Sequence, residues 1–392
     1  MSESRSPARP VLHFADALLR GGAERLLVEL AIRSDRERFA PAVACFRQEA
    51  FADELAAAGR PVHVVPKRRA FDVGLLFRLV RLLRRERVAL VHTHDLQAAT
   101  YGLIAGKLAR AAVILTVHGL GIFRQKRSPK LLPRLARWLD RVVFVGHWLQ
   151  RVAADELGVR PRRPMVIHNG VDVAAFRPGP PDPELAAELG LEPGRPVVGS
   201  VGNLRAVKDY PCLLRAFAVA LRSADSRLWI ADRQSGIRNP KSEMAATLVL
   251  VGDGAERPAL EALARELGIG SFVRFAGARG DVARVLRAFD VFALSSQTEG
   301  ISVALLEAMA TGLPAVVTDT GGNPEVAVEG RTAHLVPVGG HEAMGEALAG
   351  LLADPARRRA WGEAARARVE EEFSLGRMVR EYEAVYESLI RR

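Results

Sequence analysis

Residues 295–325 read SSQTEGISVALLEAMATGLPAVVTDTGGNPE, in the order loop, short helix, loop, strand, loop. Ser302 has the side chain of a helix cap, Val303–Ala310 contains no helix breaker, and Gly312 with Pro314 marks the stop. Helical side chains lean back toward the start of their helix, so Glu307 is turned toward the loop that carries Glu299. The N–H groups of Gly300, Ile301 and Ser302, which lead into the helix, fall between the two carboxylates. Carboxylates accept hydrogen bonds from vicinal hydroxyls, and a helix N-terminus attracts phosphate. Sugar hydroxyls beside phosphate suit that combination.

Outward from this stretch the chain alternates strand and helix. Strand-like runs recur at residues 11–15, 42–45, 62–65, 90–92, 113–117, 141–145 and 165–167. In the second half they recur from residue 196 (VVGSV) and at 248–254, 273–277, 291–294 and 315–318. Helical patterns lie between them, which predicts parallel βαβ units in doubly wound sheets. Ligands in such sheets sit beyond the C-terminal strand ends. Asp95 follows VHTH there, His118 follows ILTV, Gly146 and His147 follow VVFV, and Asn169 and Gly170 follow MVIH. From His341 the pattern is helical, over 342–352, 356–372 and 378–389. Residues 226–245 read as a surface excursion without periodicity.

At 392 residues the chain has room for two domains, each with its own core. Cys45 and Cys212 are far apart, which implies neither a disulfide framework nor a metal site and suits a reducing compartment. The first residues lack the apolar core of a signal peptide, and no apolar run is long enough to span a bilayer. The expectation is a cytoplasmic chain. Residues 1–180 carry 31 Lys and Arg against 16 Asp and Glu, and the remainder 25 against 29, so the net charge of +11 belongs to the first half. Aromatic residues are 6% and no nucleic-acid motif accompanies the basic face, which argues against nucleic acid. A phosphorylated substrate or an anionic membrane surface remains as partner.

Several residues carry two readings on sequence alone. Gly21 and Gly22, between a strand and a helix, make a plain tight turn or one that faces phosphate. His118 is a structural histidine at a strand end or a catalytic one. Asp95 orients a loop or helps place an acceptor, and His92 and His94 are structural or cleft-lining. Residues 71–88 form an amphipathic helix with Leu75, Leu76, Leu79, Leu82 and Leu83 as its stripe. Its arginines, with Lys67 to Arg69, are either simply solvated or in contact with anionic headgroups, so the protein is cytoplasmic or peripheral at the inner membrane face. Residues 125–137 add a second basic segment. Arg205 and Lys208 lie between a strand end and a helix, where a diphosphate needs cationic donors.

The stretch EGISVALLEAMATGLPAVVTDTGGNPE resembles the donor-site signature of retaining glycosyltransferases of family four (group 1), with similarity to transferases of exopolysaccharide and other cell-surface glycans. The resemblance implies the α/β GT-B fold, two Rossmann-like parallel-sheet domains facing a cleft. It also implies transfer of a hexosyl unit from a UDP- or GDP-sugar to a glycan or lipid-linked acceptor, with retention and with neither cofactor nor metal. It places Glu307 on the ribose, Glu299 on the donor sugar, and Arg205 and Lys208 on the diphosphate beside Gly300, Ile301 and Ser302. Gly21 and Gly22 face the diphosphate in that scheme, and His118 contacts the sugar near its anomeric centre. The expected layout is residues 1–175 as the acceptor-side domain, 176–195 as linker, 196–372 as the nucleotide-sugar domain and 373–392 as a helix crossing back. A nucleotide-sugar epimerase on the same fold, or a non-catalytic lipid-binding scaffold, are the alternatives. Glu325 holds a loop or helix start in either case.

Overall fold

The computed structural model describes residues 7–18, 21–48, 50–69, 72–122, 128–231 and 246–390, with backbone alone at 128–130 and 224–231. Two compact units result, Met1–Gly170 with Gly376–Arg392, and Val171–Leu375.

In the first unit the strands are β1 (Arg9–Leu18), β2 (Phe39–Gln48), β3 (Val62–Val64), β4 (Leu90–Thr93), β5 (Ala112–Val117), β6 (Arg141–Phe144) and β7 (Pro164–Val166). They form one parallel sheet in the order β3-β2-β1-β4-β5-β6-β7. The helices are α1 (Gly22–Arg33), α2 (Ala52–Ala57), α3 (Val73–Arg85), α4 (Leu96–Ala109), α5 (Ser128–Ala136) and α6 (His147–Asp155). Both faces of a parallel sheet are covered, so its strands are apolar throughout rather than alternating. Phe14, Val91, Leu115 and Phe144 of the strands share one core with Leu75, Leu79 and Leu83 of α3. Asp72 caps α3 by accepting from the Leu75 N–H at 2.9 Å. The apolar stripe turns inward as its spacing requires, with Leu76 only partly buried. Phe77, by contrast, stands 70% exposed.

The second unit runs α7 (Pro183–Glu188), β8 (Val197–Val201), α8 (Tyr210–Ala231), β9 (Thr247–Val251), α9 (Arg257–Glu266), β10 (Val273–Gly277), α10 (Val282–Leu286) and β11 (Val291–Leu294). It continues with α11 (Val303–Ala310), β12 (Ala315–Thr318), α12 (Asn323–Val326), β13 (Ala333–Val336), α13 (His341–Leu352) and α14 (Pro355–Glu372). Its sheet is parallel, in the order β10-β9-β8-β11-β12-β13. In each sheet the chain leaves its first strand in one direction and later returns to its other side. That creates a switch point beyond β1 and β4, and another beyond β8 and β11.

The last helix, α15 (Leu375–Ile390), lies in the first unit from Gly376 on. Buried polar groups hold it there. Tyr386 Oη is 2.7 Å from His92 Nδ1, and Tyr382 Oη is 3.0 Å from Thr116 Oγ1. Glu383 accepts from the Asp35 N–H at 2.7 Å and pairs with Arg38 at 3.2 Å.

Three differences from the sequence reading are physical. Residues 226–231 continue α8 instead of leaving the surface, and the rest of that expected excursion, 232–245, lies outside the described residues. Residues 176–195 belong to the second unit and include α7, which Asp182 caps through the N–H groups of Glu184 and Leu185. Strand β13 was not foreseen: AHLV is short and carries His334, and pairing to β12 rather than propensity makes it a strand.

Candidate functional site

Beyond β8 and β11 two loops are tied together. Ser302 caps α11 by accepting from the Leu305 N–H at 3.3 Å, and Gly300 and Ile301 lead into that cap. The Lys208 loop is held to the Glu299 loop by backbone and side chain alike. The Gln297 N–H donates to the Val207 carbonyl at 2.9 Å, and Ser295 Oγ donates to the Lys208 carbonyl at 2.9 Å. Lys208 Nζ then reaches Glu299 Oε1 at 2.6 Å, and Ser296 Oγ donates to the same oxygen at 2.6 Å. The side chains are 23% and 12% exposed, so this ion pair is sheltered and yet accessible to a ligand.

Arg205 opens the same turn, exposed, and its side chain makes no hydrogen bond or ion pair among the described residues. Glu307 is half-buried in the second turn of α11. The four charged residues singled out in this half therefore lie on elements that meet at one switch point, and the contact formed is Lys208 with Glu299.

Glycine explains how close these loops come. A Cβ on Gly321 would sit 2.0 Å from the Glu299 carbonyl oxygen, and one on Gly322 would sit 2.1 Å from that of Gly300. The Gly322 N–H donates to the Gly300 carbonyl at 2.7 Å. The GG pair, legible as a tight loop, is also the seat of the Glu299 loop. Glu325 falls in the first turn of α12, and its carbonyl accepts from Arg368 at 2.9 Å. Opposite, a Cβ on Gly252 would meet the Gly202 carbonyl at 2.0 Å, so β8 and β9 turn against each other with no side chain between.

In the first unit, Gly21 is the extended N-cap of α1 and Gly22 its first residue. A Cβ on Gly21 would lie 2.4 Å from a Glu24 carboxylate oxygen, so the turn is filled by the helix's own acid. Asp95 caps α4 through the Ala98 N–H at 2.8 Å and also accepts from the Asp16 N–H at 2.6 Å. Burial raises its pKa to about 6 despite those donors. The geometry of Asp95 is that of a brace between β1 and α4.

The histidines, scattered in sequence, are gathered by the sheet. His13 on β1 is in register with His92 on β4. His13 Nδ1 lies 3.3 Å from His94 Nε2, and His94 Nδ1 lies 3.1 Å from His118 Nε2. Burial lowers the pKa of His13 to about 3 and of His118 to about 4, and takes His92 and His94 well below the usual value. All four are neutral at pH 7. His13, His92 and His94 bring ring nitrogens within 4.8 Å of one another. The His92 and His94 rings, however, lie 4.1 Å apart at 30°, so their in-plane lone pairs run side by side instead of converging on one ion. Both nitrogens of His92 are also taken, by Tyr386 and by Thr116 at 2.7 Å.

Sequence reasoning passed over Ser295, Ser296 and His13. The serines directly follow a strand and precede Glu299, a signal that can be read. His13 gave none, since a histidine inside VLHFA finds its partners only when the sheet forms.

The model of Glycosyltransferase Family 4 matches residues 20–175, and that of Glycosyl transferases group 1 matches residues 181–368. The N-acetyl-alpha-D-glucosaminyl L-malate synthase of Bacillus anthracis is 29% identical over 329 residues, 82% of this chain and 80% of the relative. The UDP-Gal:alpha-D-GlcNAc-diphosphoundecaprenol alpha-1,3-galactosyltransferase of Escherichia coli is 30% identical over 263 residues, 64% of this chain and 63% of the relative. Among solved structures, Anabaena HepE in complex with UDP-glucose superposes with a TM-score of 0.81 at 22% identity, covering 97% of this chain and 99% of that one. Two parallel-sheet units matched in succession by these two models identify the chain as a member of the family 4, group 1 glycosyltransferases, with the GT-B fold.

Proposed function

We propose that this glycosyltransferase moves a hexosyl unit from a nucleotide diphosphate sugar to a hydroxyl of a glycan or lipid-linked acceptor, with retention at the anomeric carbon. The observation that carries the reading is the sheltered Lys208–Glu299 pair, 2.6 Å apart beside the start of α11. A carboxylate held by a lysine and a serine has lone pairs left for sugar hydroxyls, and the lysine has donors left for phosphate. Breaking the bond to the diphosphate builds negative charge on the leaving oxygens. Lys208, Arg205 and the N–H groups of Gly300 to Ser302 would stabilise that charge without reorganising, which is where the rate comes from. Glu307 is assigned to the ribose hydroxyls. Gly21, Gly22 and His118 keep the roles implied by resemblance, His118 with the donor sugar, and Asp95, which braces β1 to α4, is assigned to the acceptor side. The UDP-glucose bound to HepE supports a nucleotide-sugar donor, and the diphosphoundecaprenol in the name of the E. coli relative supports a lipid-linked acceptor.

We assign membrane contact to the first unit. Phe77 on α3 and Leu108 on α4 are 70% and 53% exposed, on neighbouring helices bridged by Arg84, which donates to the Leu108 carbonyl at 3.0 Å. Arginines beside exposed apolar groups suit anionic headgroups. No described helix is long and apolar enough to cross a membrane.

The test is incubation with a panel of UDP- and GDP-sugars, with and without membrane lipid extract, the anomer of the product being read by NMR. Transfer that is lost in Lys208→Ala and in Glu299→Ala supports the reading. Undiminished transfer in both overturns the site, and conversion of the sugar without acceptor would make the protein an epimerase.

A further inference from the structure

Two serines directly follow β11, and both are buried, Ser295 at 1% and Ser296 at 0% exposure. Their hydroxyls reach different groups. Ser295 Oγ donates to the main-chain carbonyl of Lys208 at 2.9 Å. Ser296 Oγ donates to Glu299 Oε1 at 2.6 Å. One serine therefore holds the backbone from which the lysine side chain starts, and the other holds the carboxylate itself. Ser296 is held in its turn, since its carbonyl accepts from Thr318 Oγ1, at the end of β12, at 2.7 Å.

The contact of Ser296 fixes where Glu299 points. An ionised carboxylate has about four lone-pair sites, two on each oxygen. Lys208 Nζ at 2.6 Å and Ser296 Oγ at 2.6 Å both go to Oε1, which is thereby filled. Oε2 accepts from no donor among the described residues. The lysine alone would not fix this arrangement, because an ammonium on a flexible stem can follow a carboxylate as it turns. With a buried hydroxyl on the same oxygen, any other orientation gives up a charged hydrogen bond and strands that hydroxyl without a partner. We propose that Ser295 and Ser296 are positioning residues with separate tasks in the donor site. Ser296 orients Glu299 so that its second oxygen is offered to hydroxyls of the donor sugar, and Ser295 sets the start of the Lys208 side chain for the diphosphate. The choice of ligand groups rests on the proposed function. The two holding contacts do not.

The adjacent, comparably buried pair supplies its own control. Either alanine variant removes one hydroxyl from the same segment, so a merely structural role gives Ser295→Ala and Ser296→Ala the same outcome. Separate tasks give them different ones. Calorimetric titration of the full chain with UDP-glucose, GDP-mannose, UDP and GDP reads the difference. Ser296→Ala is expected to weaken the sugar nucleotide about tenfold, the worth of one hydrogen bond to a charged group, and to leave the matching nucleotide unchanged. Ser295→Ala is expected to weaken both by the same factor. Ser296→Cys, which keeps a weak donor, is expected to fall between the wild type and Ser296→Ala, and it decides the matter if the alanine variant does not fold. An equal loss for sugar nucleotide and nucleotide in Ser296→Ala, or no loss, overturns the role of Ser296. A loss confined to the sugar nucleotide in Ser295→Ala, or no loss, overturns that of Ser295. Absence of binding by all four probes to the wild type would count against the proposed function. Crystals of unliganded Ser296→Ala still decide the positioning: Glu299 is expected to turn from its wild-type orientation, and an unmoved carboxylate refutes the role of Ser296.

Discussion

Replacing Gly321 by alanine separates two effects that the structure makes additive. Gly321 has φ +61°, a left-handed conformation that costs an L-residue roughly 1–2 kcal/mol. Its Cβ would also lie 2.0 Å from the Glu299 carbonyl oxygen. Ordinary contact needs about 3.2 Å, so the peptide after Glu299 must retreat by roughly 1.2 Å, and misplacement on that scale costs about 10²-fold in rate. Gly330 is the control, because it has φ +70° with nothing within 4 Å of its Cβ. Gly330→Ala should lower the melting temperature of the second unit by about 2–4 °C for each kcal/mol of backbone cost and leave activity intact. Gly321→Ala should lower it further and depress both UDP affinity and transfer. Gly322→Ala, at φ −88° and 2.1 Å from the Gly300 oxygen, should show the clash without the backbone cost. Calorimetric melting and UDP titration of the three variants decide the matter. Equal melting shifts for Gly321→Ala and Gly330→Ala, with UDP affinity unchanged, would refute the close-approach reasoning.

The remaining expectations are quicker to state. Lys208→Ala should weaken UDP binding on the order of tenfold to a hundredfold, the worth of a charged hydrogen bond, and calorimetry showing no loss would remove Lys208 from the diphosphate site. Acid should destabilise the first unit: below pH 6.5 the unfolded chain protonates His13, His92, His94 and His118, which the folded chain holds neutral, while buried Asp95 takes up one proton in the folded state below about pH 6. That leaves about three extra protons on the unfolded chain near pH 5, so stability is full above pH 6.5 and falls by about 4 kcal/mol per pH unit toward pH 4. Urea unfolding between pH 7.5 and 5 that shows no such slope would contradict the buried neutral cluster. Phe77→Asp should reduce co-sedimentation with anionic vesicles about tenfold, given the worth of one buried phenylalanine, and leave sugar transfer to a water-soluble acceptor unchanged. Equal sedimentation would take α3 out of the membrane contact.

What could be read from the sequence followed from local periodicity. Seven strand runs in the first unit are where the apolar runs put them, within about three residues at each end. Ser302, Gly312 and Pro314 bound α11 as their chemistry requires. What could not be read depends on pairing across long separations. Nothing in VLHFA distinguishes His13 from a core residue until β1 is set in register with β4, 79 residues away along the pairs His13 and His92. Likewise GG at 321–322 signals a turn, but the close approach to Glu299 and Gly300 exists only once β12 lies beside β11. The extent of α8 was missed because its later residues, DSRLWIA, mix charge with bulk and show no stripe.

The two sheets place different chemistry at equivalent points. Beyond β8 and β11 stand ionised groups, Lys208 with Glu299, partly open to solvent. Beyond β1 and β4 stand imidazoles that burial keeps uncharged. The partial negative charge on a sugar oxygen needs a directional donor, and a neutral N–H supplies that without a second cation to be desolvated. A diphosphate carries full charges, and cations match them. We accordingly assign Lys208 of the charged pair to the diphosphate and its partner Glu299 to the sugar hydroxyls, as proposed above. The sharpest consequence lies in the salt dependence of variants. Raised ionic strength should weaken UDP binding in the wild type and much less in Lys208→Ala, because screening acts on charge. His118→Ala should show the wild-type salt dependence, since the imidazole it removes is uncharged. Equal salt slopes for Lys208→Ala and the wild type would undo this division of roles.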